Sequence, residues 1–206
     1  GDVDRAADLV EVAIPALRRA RQEATLRRWL KALPDEVVRV RPLLGLGYVS
    51  TSLVSARIEG VEDRLADVEA WLEPAAVLGA GAPDPLADPI LREEYRRIPG
   101  QLAVFRTALA QAQDDRPAAV AHARRTLEIA AADDHLVRAS AAGFLALTAW
   151  ADGDLDAAYQ SWADCREGLR RVGHASDVLG CAIAMGVVRI SNEAAARNRR
   201  NMGRDC

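Results

Sequence analysis

Lysine is almost missing from this sequence, and aromatic residues are scarce. Lys31 is the single lysine among 27 basic residues, which is typical of a GC-rich genome or of guanidinium chemistry at an interface. Phenylalanine, tryptophan and tyrosine together make up only 4% of the chain. Because β-sheets are built largely from aromatic and β-branched residues, this composition favours close-packed helices rich in alanine and leucine.

The chain has few cysteines, and their spacing does not suit a disulfide or a metal site. Cys165, Cys181 and Cys206 form no CxxC pair and are odd in number, which argues against a disulfide framework or a zinc site. We expect Cys165 and Cys181 to be packed thiols and Cys206 to be exposed. No apolar run reaches the ~20 residues of a membrane-spanning helix, and the first residues, GDVDRAAD, do not resemble a signal peptide. A reducing cytoplasm without a membrane partner is therefore the expected location.

The charge pattern indicates a folded protein with no general attraction to polyanions. Half of the residues are apolar, 28% are charged, and the net charge is −3, values that exclude a disordered chain and a strongly basic surface. Arginine pairs recur, but acids are interleaved with them, as in LREEYRR. A phosphate-binding stripe needs basic residues on one side with few acids between them. We expect solvated helix faces and no direct contact with nucleic acid.

The stretch WADGDLDAAYQSWADC, residues 150–165, predicts the turn of a helical hairpin. Small and apolar residues at 142–150 form one stripe before the turn. After it, Leu155, Ala158, Trp162, Cys165 and Leu169 are spaced three, four, three and four apart, which is one face of an α-helix. The residues Asp152-Gly153-Asp154 end the first helix and give the second an acidic start.

This layout recurs at intervals of about forty residues. Similar apolar faces occur at 55–72 and 111–130, and Trp29-Leu30 is followed forty-two residues later by Trp71-Leu72. Two helices per period of this length are typical of an α-solenoid. We expect Trp29, Trp71 and Trp162 to lie in its core, where large side chains wedge the helix pairs together.

The expected fold is therefore all-α, a right-handed superhelix of antiparallel helix pairs like that of tetratricopeptide repeats. It should span residues 1–190 as one domain. The proline- and glycine-rich segment GAGAPDPLADP predicts a loop insertion at 78–90. Residues 191–206 are expected to form a poorly ordered polar tail.

Two acidic clusters could suggest a metal or catalytic site, but turn chemistry explains both better. Asp152, Asp154 and Asp156 lack the glycine and the bidentate glutamate of an EF-hand loop. The run Asp133-Asp134-His135 has no nucleophile beside it and reads as a helix start. His122 and His174 are isolated, without a second metal ligand one turn away. We expect no catalytic residue, no metal and no cofactor.

Binding is then expected on the extended concave surface that solenoids expose. Candidate residues on it are Tyr48, Arg106 and Trp150. A second surface is expected at the C-terminal end, because residues 178–190 are apolar almost all round, with Arg189 as the one charge. This pattern implies burial on both sides, and the tail after it has no apolar stripe to cover it. Either a longer parent or another chain would cover this helix, so self-association is expected.

Specific phrases of the sequence resemble one protein family. WLKALPDEVV and GHASDVLGCAIA, within a likeness that covers about residues 1–190, are similar to the helical-repeat region of LuxR-type bacterial transcriptional regulators of the MalT-like class. The resemblance implies a tetratricopeptide-like superhelix between an ATP-binding signalling module and a helix-turn-helix domain. It also implies that the superhelix takes up a small-molecule inducer or a regulatory protein and relays that event to the ATPase module.

The chain departs from the family in three respects. It has no GxxxxGK[ST] phosphate loop, no helix-turn-helix pattern after the repeats, and a tail from about Ser191 that stops resembling the family. We therefore expect a non-enzymatic effector- or protein-binding relay module without the ATPase and DNA-binding domains. The alternatives are a stand-alone helical-repeat scaffold for protein interaction and a nucleic-acid-binding helical repeat.

Overall fold

A computed structural model describes residues 1–72 and 89–202, and these residues form ten helices and no β-strand. The all-α class is thereby confirmed, whereas the tetratricopeptide-like superhelix remains a prediction. Contacts cluster in two compact units, Gly1–Asp114 and Asp115–Cys206, while the sequence predicts one repeat domain. The expected loop insertion at 78–90 falls outside the described residues except for its last two positions, which are helical.

The first unit is built around its fourth helix. Its six helices are α1 (Asp2–Arg19), α2 (Glu23–Ala32), α3 (Asp35–Arg39), α4 (Pro42–Leu53), α5 (Val61–Leu72) and α6 (Pro89–Ala112). Helix α4 packs against each of the other five, and nine of its twelve residues are buried. Its sequence, PLLGLGYVSTSL, is apolar or small on all sides, which suits a helix with no solvent-facing side.

Two glycines let α4 approach its neighbours closely. A β-carbon on Gly45 would lie 3.0 Å from Val68 Cγ2 of α5, and one on Gly47 would lie 3.4 Å from Ile14 Cδ1 of α1. Side chains at these positions would push the helices apart. The glycines of α4 therefore set the spacing of the core of the first unit.

The predicted apolar face of α5 is confirmed, but one tryptophan was misplaced. Val61, Leu65 and Val68 are at most 1% exposed. Trp71 is half-buried against the same core, whereas Trp29 is 37% exposed. The prediction that Trp29 lies in the core is wrong, because Leu26 and Leu30 already occupy the buried face of α2.

The second unit is a series of consecutive helices. These are α7 (Arg116–Ile129), α8 (His135–Ala151), α9 (Leu155–Arg171) and α10 (Ala175–Met202). Each packs against the next, through connections of three to five residues, and such short connections make neighbouring helices antiparallel. Helices α7 and α9 begin thirty-nine residues apart, at Arg116 and Leu155, as the repeat in the sequence predicts.

The predicted helical hairpin at 150–165 is confirmed. Asp154 caps α9 by accepting a hydrogen bond from the backbone N–H of Ala157 at 3.0 Å, and Gly153 adopts the left-handed conformation of the turn with φ +78°. Asp134 caps α8 in the same way, accepting from Val137 at 3.2 Å. These carboxylates satisfy amide groups that the first turn of a helix leaves without partners. Their role is thus in helix capping.

Helices α8 and α9 cross at a glycine. A β-carbon on Gly168 would lie 2.8 Å from Ala139 Cβ and 3.0 Å from the backbone oxygen of His135. Around this crossing, Ala142, Cys165 and Leu169 form the small core of the unit. The hairpin is therefore held by close backbone approach as well as by apolar burial.

The last helix is buried on only one side. Helix α10 continues to Met202, through the first part of the tail predicted from Ser191. Cys181, Met185 and Val188 are buried, whereas large apolar side chains on the opposite side are exposed. The outer side of residues 178–190 is thus exposed, as expected for a helix that the tail does not cover. Burial of that side by another chain stays a prediction.

The two described cysteines are packed thiols, as predicted. Cys165 and Cys181 are 5% and 4% exposed, and their Sγ atoms lie 3.5 Å apart. Burial is the main cause that raises the pKa of Cys165 to about 12, so the reactive thiolate is scarce at neutral pH. Cys206, predicted to be exposed, lies outside the described residues.

Both thiols should resist modification while the second unit is folded. We expect Cys165 and Cys181 to react with Ellman's reagent at least about a hundredfold more slowly in native buffer than in denaturant, because both are buried. At Cys165 the raised pKa also lowers the fraction of reactive thiolate. Mass spectrometry of the labelled peptides measures the labelling rate of each cysteine separately. Fast native labelling of Cys165 would contradict its burial.

Candidate functional site

Of the three residues predicted for binding, one lines a cavity of the first unit. We call this cavity, which encloses about 740 Å³ between α2, α4 and the connection 54–60, the α2–α4 cavity. Tyr48 is part of its wall, and Arg106 and Trp150 are not. A volume of this size falls in the range of small-molecule sites, which is roughly 300–1,000 Å³.

Arg106 instead ties α6 to α5. Its guanidinium pairs with Glu69 through two hydrogen bonds of 2.9 and 2.7 Å, and it also contacts Glu62. A bidentate pair of this kind fixes both helices. Trp150 is half-buried in α8 and belongs to the second unit. The structure therefore assigns a structural role to Arg106, and Trp150 is not among the residues that line the cavity.

The apolar part of the cavity wall is formed by Leu30, Leu33, Val38 and Ile58. Leu30 and Val38 are buried beneath it, and Ile58, on the connection between α4 and α5, is 43% exposed at its edge. Tyr48 is half-buried, with its hydroxyl close to Gly60 and the guanidinium of Arg64 5.0 Å from the centre of its ring. One face of the Tyr48 ring is thus held by a cation–π contact.

Three cations line the same cavity: Arg27, Lys31 and Arg57. Arg27 and Lys31 lie four residues apart on α2, beside the buried Leu30. Lys31 and Arg57 are exposed, and neither side chain forms an ion pair with a carboxylate in the described part of the chain. These two cations, without an ionic partner in the described part of the chain, are available to a ligand of the cavity.

Arg27 is the most constrained of the three. Its Nη2 donates to the backbone oxygen of Thr51 at 3.2 Å and also contacts the hydroxyl of Ser55. Its Nε is buried without a hydrogen-bond partner among the described residues. Both partners of Nη2 are neutral, so the guanidinium keeps its full charge beside the cavity and has donor capacity left over.

Two carboxylates also line the cavity, and one of them is already neutralised. Asp35 accepts from Arg39 Nε at 2.8 Å and from Arg64 Nη2 at 2.5 Å. These hydrogen bonds, with that of Arg39 the larger effect, lower the pKa of Asp35. Glu59 is exposed and has no ion-pair partner among the described residues. The cations that remain available outnumber the free carboxylates, so the cavity favours negative charge.

The sequence indicated only Tyr48 of this group. For the arginine pair Arg27-Arg28, as for the other pairs, the sequence predicts a solvated helix face, and it indicates no binding role for Lys31 or Arg57. A signal was present, because the single lysine of the chain lies one helical turn after an arginine and next to a buried leucine. Arg57 could not be found this way, because only the fold of the connection 54–60 brings it to the same cavity.

A second polar cluster lies inside the first unit, where the sequence suggested nothing. Glu11 is 0% exposed, and Arg41 Nη1 donates to its Oε2 at 3.3 Å and to Asp8 Oδ1 at 2.5 Å. Burial raises the pKa of Glu11 to about 7, although the Arg41 charge opposes that rise. We call Asp8, Glu11 and Arg41 the α1 ion cluster.

A third feature is the outer side of α10. Leu179, Ile183, Val187 and Ile190 are exposed by 62, 61, 42 and 67%. Their spacing of four, four and three residues places them on one side of the helix, and Gly180 and Gly186 lie among them with open space at each β-carbon position. We call these four side chains the α10 outer face.

Within the described residues, no group of histidine, cysteine, aspartate or glutamate side chains could hold a metal ion. Neither does the described part of the chain contain a helix with the length and hydropathy to cross a membrane. In comparisons with known proteins, the chain matches no family model, no curated protein and no solved structure. The family therefore stays a resemblance, and any function must be argued from the α2–α4 cavity and the α10 outer face.

Proposed function

We propose that this chain is a non-enzymatic effector-binding and relay module of a bacterial transcriptional regulator, acting in the cytoplasm. The observation that supports this best is the α2–α4 cavity, whose size is that of a small-molecule site and whose lining combines apolar with charged side chains. A small-molecule inducer would bind there. The resemblance to LuxR-type regulators adds a neighbouring ATPase domain as the receiver of the signal.

The relay is proposed to pass through α4. Tyr48, Thr51 and Ser52 of this helix line the cavity, and α4 contacts all the other helices of the first unit. A ligand that binds one position of α4 more tightly than another shifts the unit towards that position, by no more than the difference in affinity. Close packing at Gly45 and Gly47 means that α4 cannot move without its neighbours.

A thermal-shift screen of the purified chain against metabolites tests the proposal. A compound that binds only the folded state stabilises it by about 2.7 kcal/mol at a concentration a hundredfold above its Kd. We expect Ile58→Trp to abolish that shift, because the larger side chain would fill the cavity edge. Val54→Trp is the matched control, since Val54 is 67% exposed on the same connection but does not line the cavity.

A shift that survives in Ile58→Trp would place the ligand elsewhere and contradict the role of the cavity. The absence of any shift would favour a regulatory protein as the effector.

The third possibility, a nucleic-acid-binding repeat, has little support in the structure. Glu93 and Glu167 each hold two arginines, and these hydrogen bonds lower the pKa of each carboxyl to about 2, so these arginines already have anionic partners.

A second proposal, that of an interaction scaffold, is supported by the α10 outer face. We propose a second copy of this chain as its occupant. In an antiparallel arrangement, Ile183 of each copy would lie against Gly186 of the other, and Leu179 against Ile190. The exposed isoleucines would fill the open space at the glycines, which is the self-complementarity that a two-fold contact requires. A parallel pair would instead bring Glu193 and Arg197 against the same residues of the partner.

Sedimentation velocity at high micromolar concentration tests the self-association. We expect a dimer for the native chain and a monomer for Ile183→Lys, because the lysine would lose the apolar burial of Ile183 and place a charge in the contact with Gly186 of the other copy. Val54→Lys is the control, since it removes an equally exposed apolar side chain from the first unit. A native chain that sediments only as a monomer would refute the proposal.

A further inference from the structure

We infer that the ligand of the α2–α4 cavity is an amphipathic organic acid, with one anionic group and an apolar body. This inference rests on the proposed function and adds the chemical class of the effector. The anionic group would lie between Lys31, Arg57 and Arg27, and the body would pack on Leu30, Val38 and Ile58.

The charges that line the cavity argue for an anion. Lys31 and Arg57 have no ionic partner among the described residues, and Glu59 is the only lining carboxylate left unpaired there. Asp35 already forms salt bridges with Arg39 and Arg64. Any ligand that fills the cavity removes water from these cations. An anionic group would replace that water with an ionic partner, whereas a neutral ligand would leave the cost of their lost hydration without compensation.

Arg27 adds a directional argument. Its Nη2 is held by the Thr51 oxygen and Ser55, and its buried Nε has no partner. A guanidinium fixed in this way is oriented before any ligand binds, which lowers the entropic cost of holding an anionic group. A neutral ligand would gain far less from this arrangement, because hydrogen bonds to a charged acceptor are about twice as strong.

The apolar side chains in the lining argue against a small inorganic ion as the whole ligand. An inorganic phosphate would leave most of the roughly 740 Å³ filled with water, while an apolar body gains from burial against Leu30, Val38 and Ile58. An extended polyanion such as nucleic acid is too large to enter a cavity of this size. The chemistry therefore points to a carboxylate or sulfonate on an aliphatic or aromatic body.

Two fluorescent probes of the same shape test the inference. 8-Anilinonaphthalene-1-sulfonate carries a sulfonate on an aromatic body, and N-phenyl-1-naphthylamine is the same body without that anion. We expect the sulfonate to bind the native chain at least about tenfold more tightly than the neutral probe, a preference of about 1.4 kcal/mol. Its affinity should fall with rising salt, because Lys31 and Arg57 are exposed.

Variants locate the probe and separate charge from shape. Lys31→Gln combined with Arg57→Gln should weaken sulfonate binding about tenfold or more and leave the neutral probe unchanged, whereas Lys31→Arg should retain binding. Ile58→Trp should abolish binding of both probes at this site. Ile183→Lys on the α10 outer face is the control that removes binding to the other exposed apolar surface.

The outcomes distinguish the two levels of the proposal. Equal affinity for both probes, abolished by Ile58→Trp and unaffected by the double glutamine variant, would overturn the anionic class while leaving a ligand cavity in place. Probe binding that Ile58→Trp does not change would overturn both the class and the cavity as a binding site. Tight sulfonate binding that depends on Lys31 and Arg57 supports both.

Discussion

Arg41→Met is expected to destabilise the first unit by about 3–5 kcal/mol at pH 8, which is the cost of removing one partner of a buried ion pair. Glu11, fully buried in α1, would lose the guanidinium of Arg41 that pairs with it. Urea unfolding measures the loss, and hydrogen exchange of α1 and α4 amides shows whether it is confined to the first unit. Arg39→Met is the matched control, because the exposed Arg39 pairs contribute about 0–1 kcal/mol.

The cost of Arg41→Met should shrink as the pH falls. The pKa of Glu11 is raised to about 7, so protonated Glu11 stabilises the native chain fully below the ordinary pKa near 4.5. That stabilisation, about 3 kcal/mol, is lost as the pH rises towards and through 7. Without Arg41 the pKa of Glu11 rises further. At pH 5 the buried carboxyl is neutral and therefore does not need a cationic partner.

Glu11→Gln supplies the test of that explanation. This variant should have a flatter dependence of the free energy of unfolding on pH between 5 and 8 than the native chain. The double variant Glu11→Gln, Arg41→Met should recover much of the loss caused by Arg41→Met alone at pH 8, because no uncompensated carboxylate is left. Equal losses in Arg41→Met at pH 5 and pH 8 would show that the α1 ion cluster is not the cause.

Gly168→Ala is expected to destabilise the second unit by about 1–3 kcal/mol. The new methyl group would lie 2.8 Å from Ala139 Cβ and 3.0 Å from the His135 oxygen, and a backbone oxygen cannot move without shifting α8. Hydrogen exchange of α8 and α9 amides, together with the thermal midpoint, measures the effect. The core of the unit is small, so one displaced helix disturbs most of it.

Gly180→Ala provides the opposite case within the same unit. A β-carbon on Gly180 of α10 would meet nothing within 4 Å, and alanine is favoured over glycine in a helix by about 0.5–1 kcal/mol. This variant should therefore raise stability slightly. If Gly168→Ala also raised it, the close crossing of α8 and α9 would be refuted.

Helix starts and buried stripes could be predicted from the sequence because they depend on local chemistry. The sequence predicts helix starts at Asp134 and Asp154, and these two residues cap α8 and α9. The spacing of Ala158, Cys165 and Leu169 predicts one inner face of a helix, and all three residues are buried. Spacing of three and four residues is enough for such predictions, since one helix determines which side chains share a face.

Positions that depend on several helices could not be predicted in this way. Trp29 was expected in the core because it is large, yet Leu26 and Leu30 face inward from α2. Arg27, Tyr48 and Arg57 come from α2, α4 and the connection after α4, and their separation in the sequence gives no sign that they share a cavity. The burial of Glu11 could not be predicted either, because charged residues are normally exposed. Its position at the spacing of the buried Ala7 and Ile14 was the one local sign.

The most direct test of the central claim is a map of backbone amide chemical shifts during titration with 8-anilinonaphthalene-1-sulfonate. Ligand in the α2–α4 cavity should shift the amides of Lys31, Tyr48 and Arg57 first, and the changes should continue along α4 to its contacts with α1 and α5. Changes confined to α10, or spread evenly over both units, would contradict the proposal that this cavity is the binding site from which α4 relays the signal.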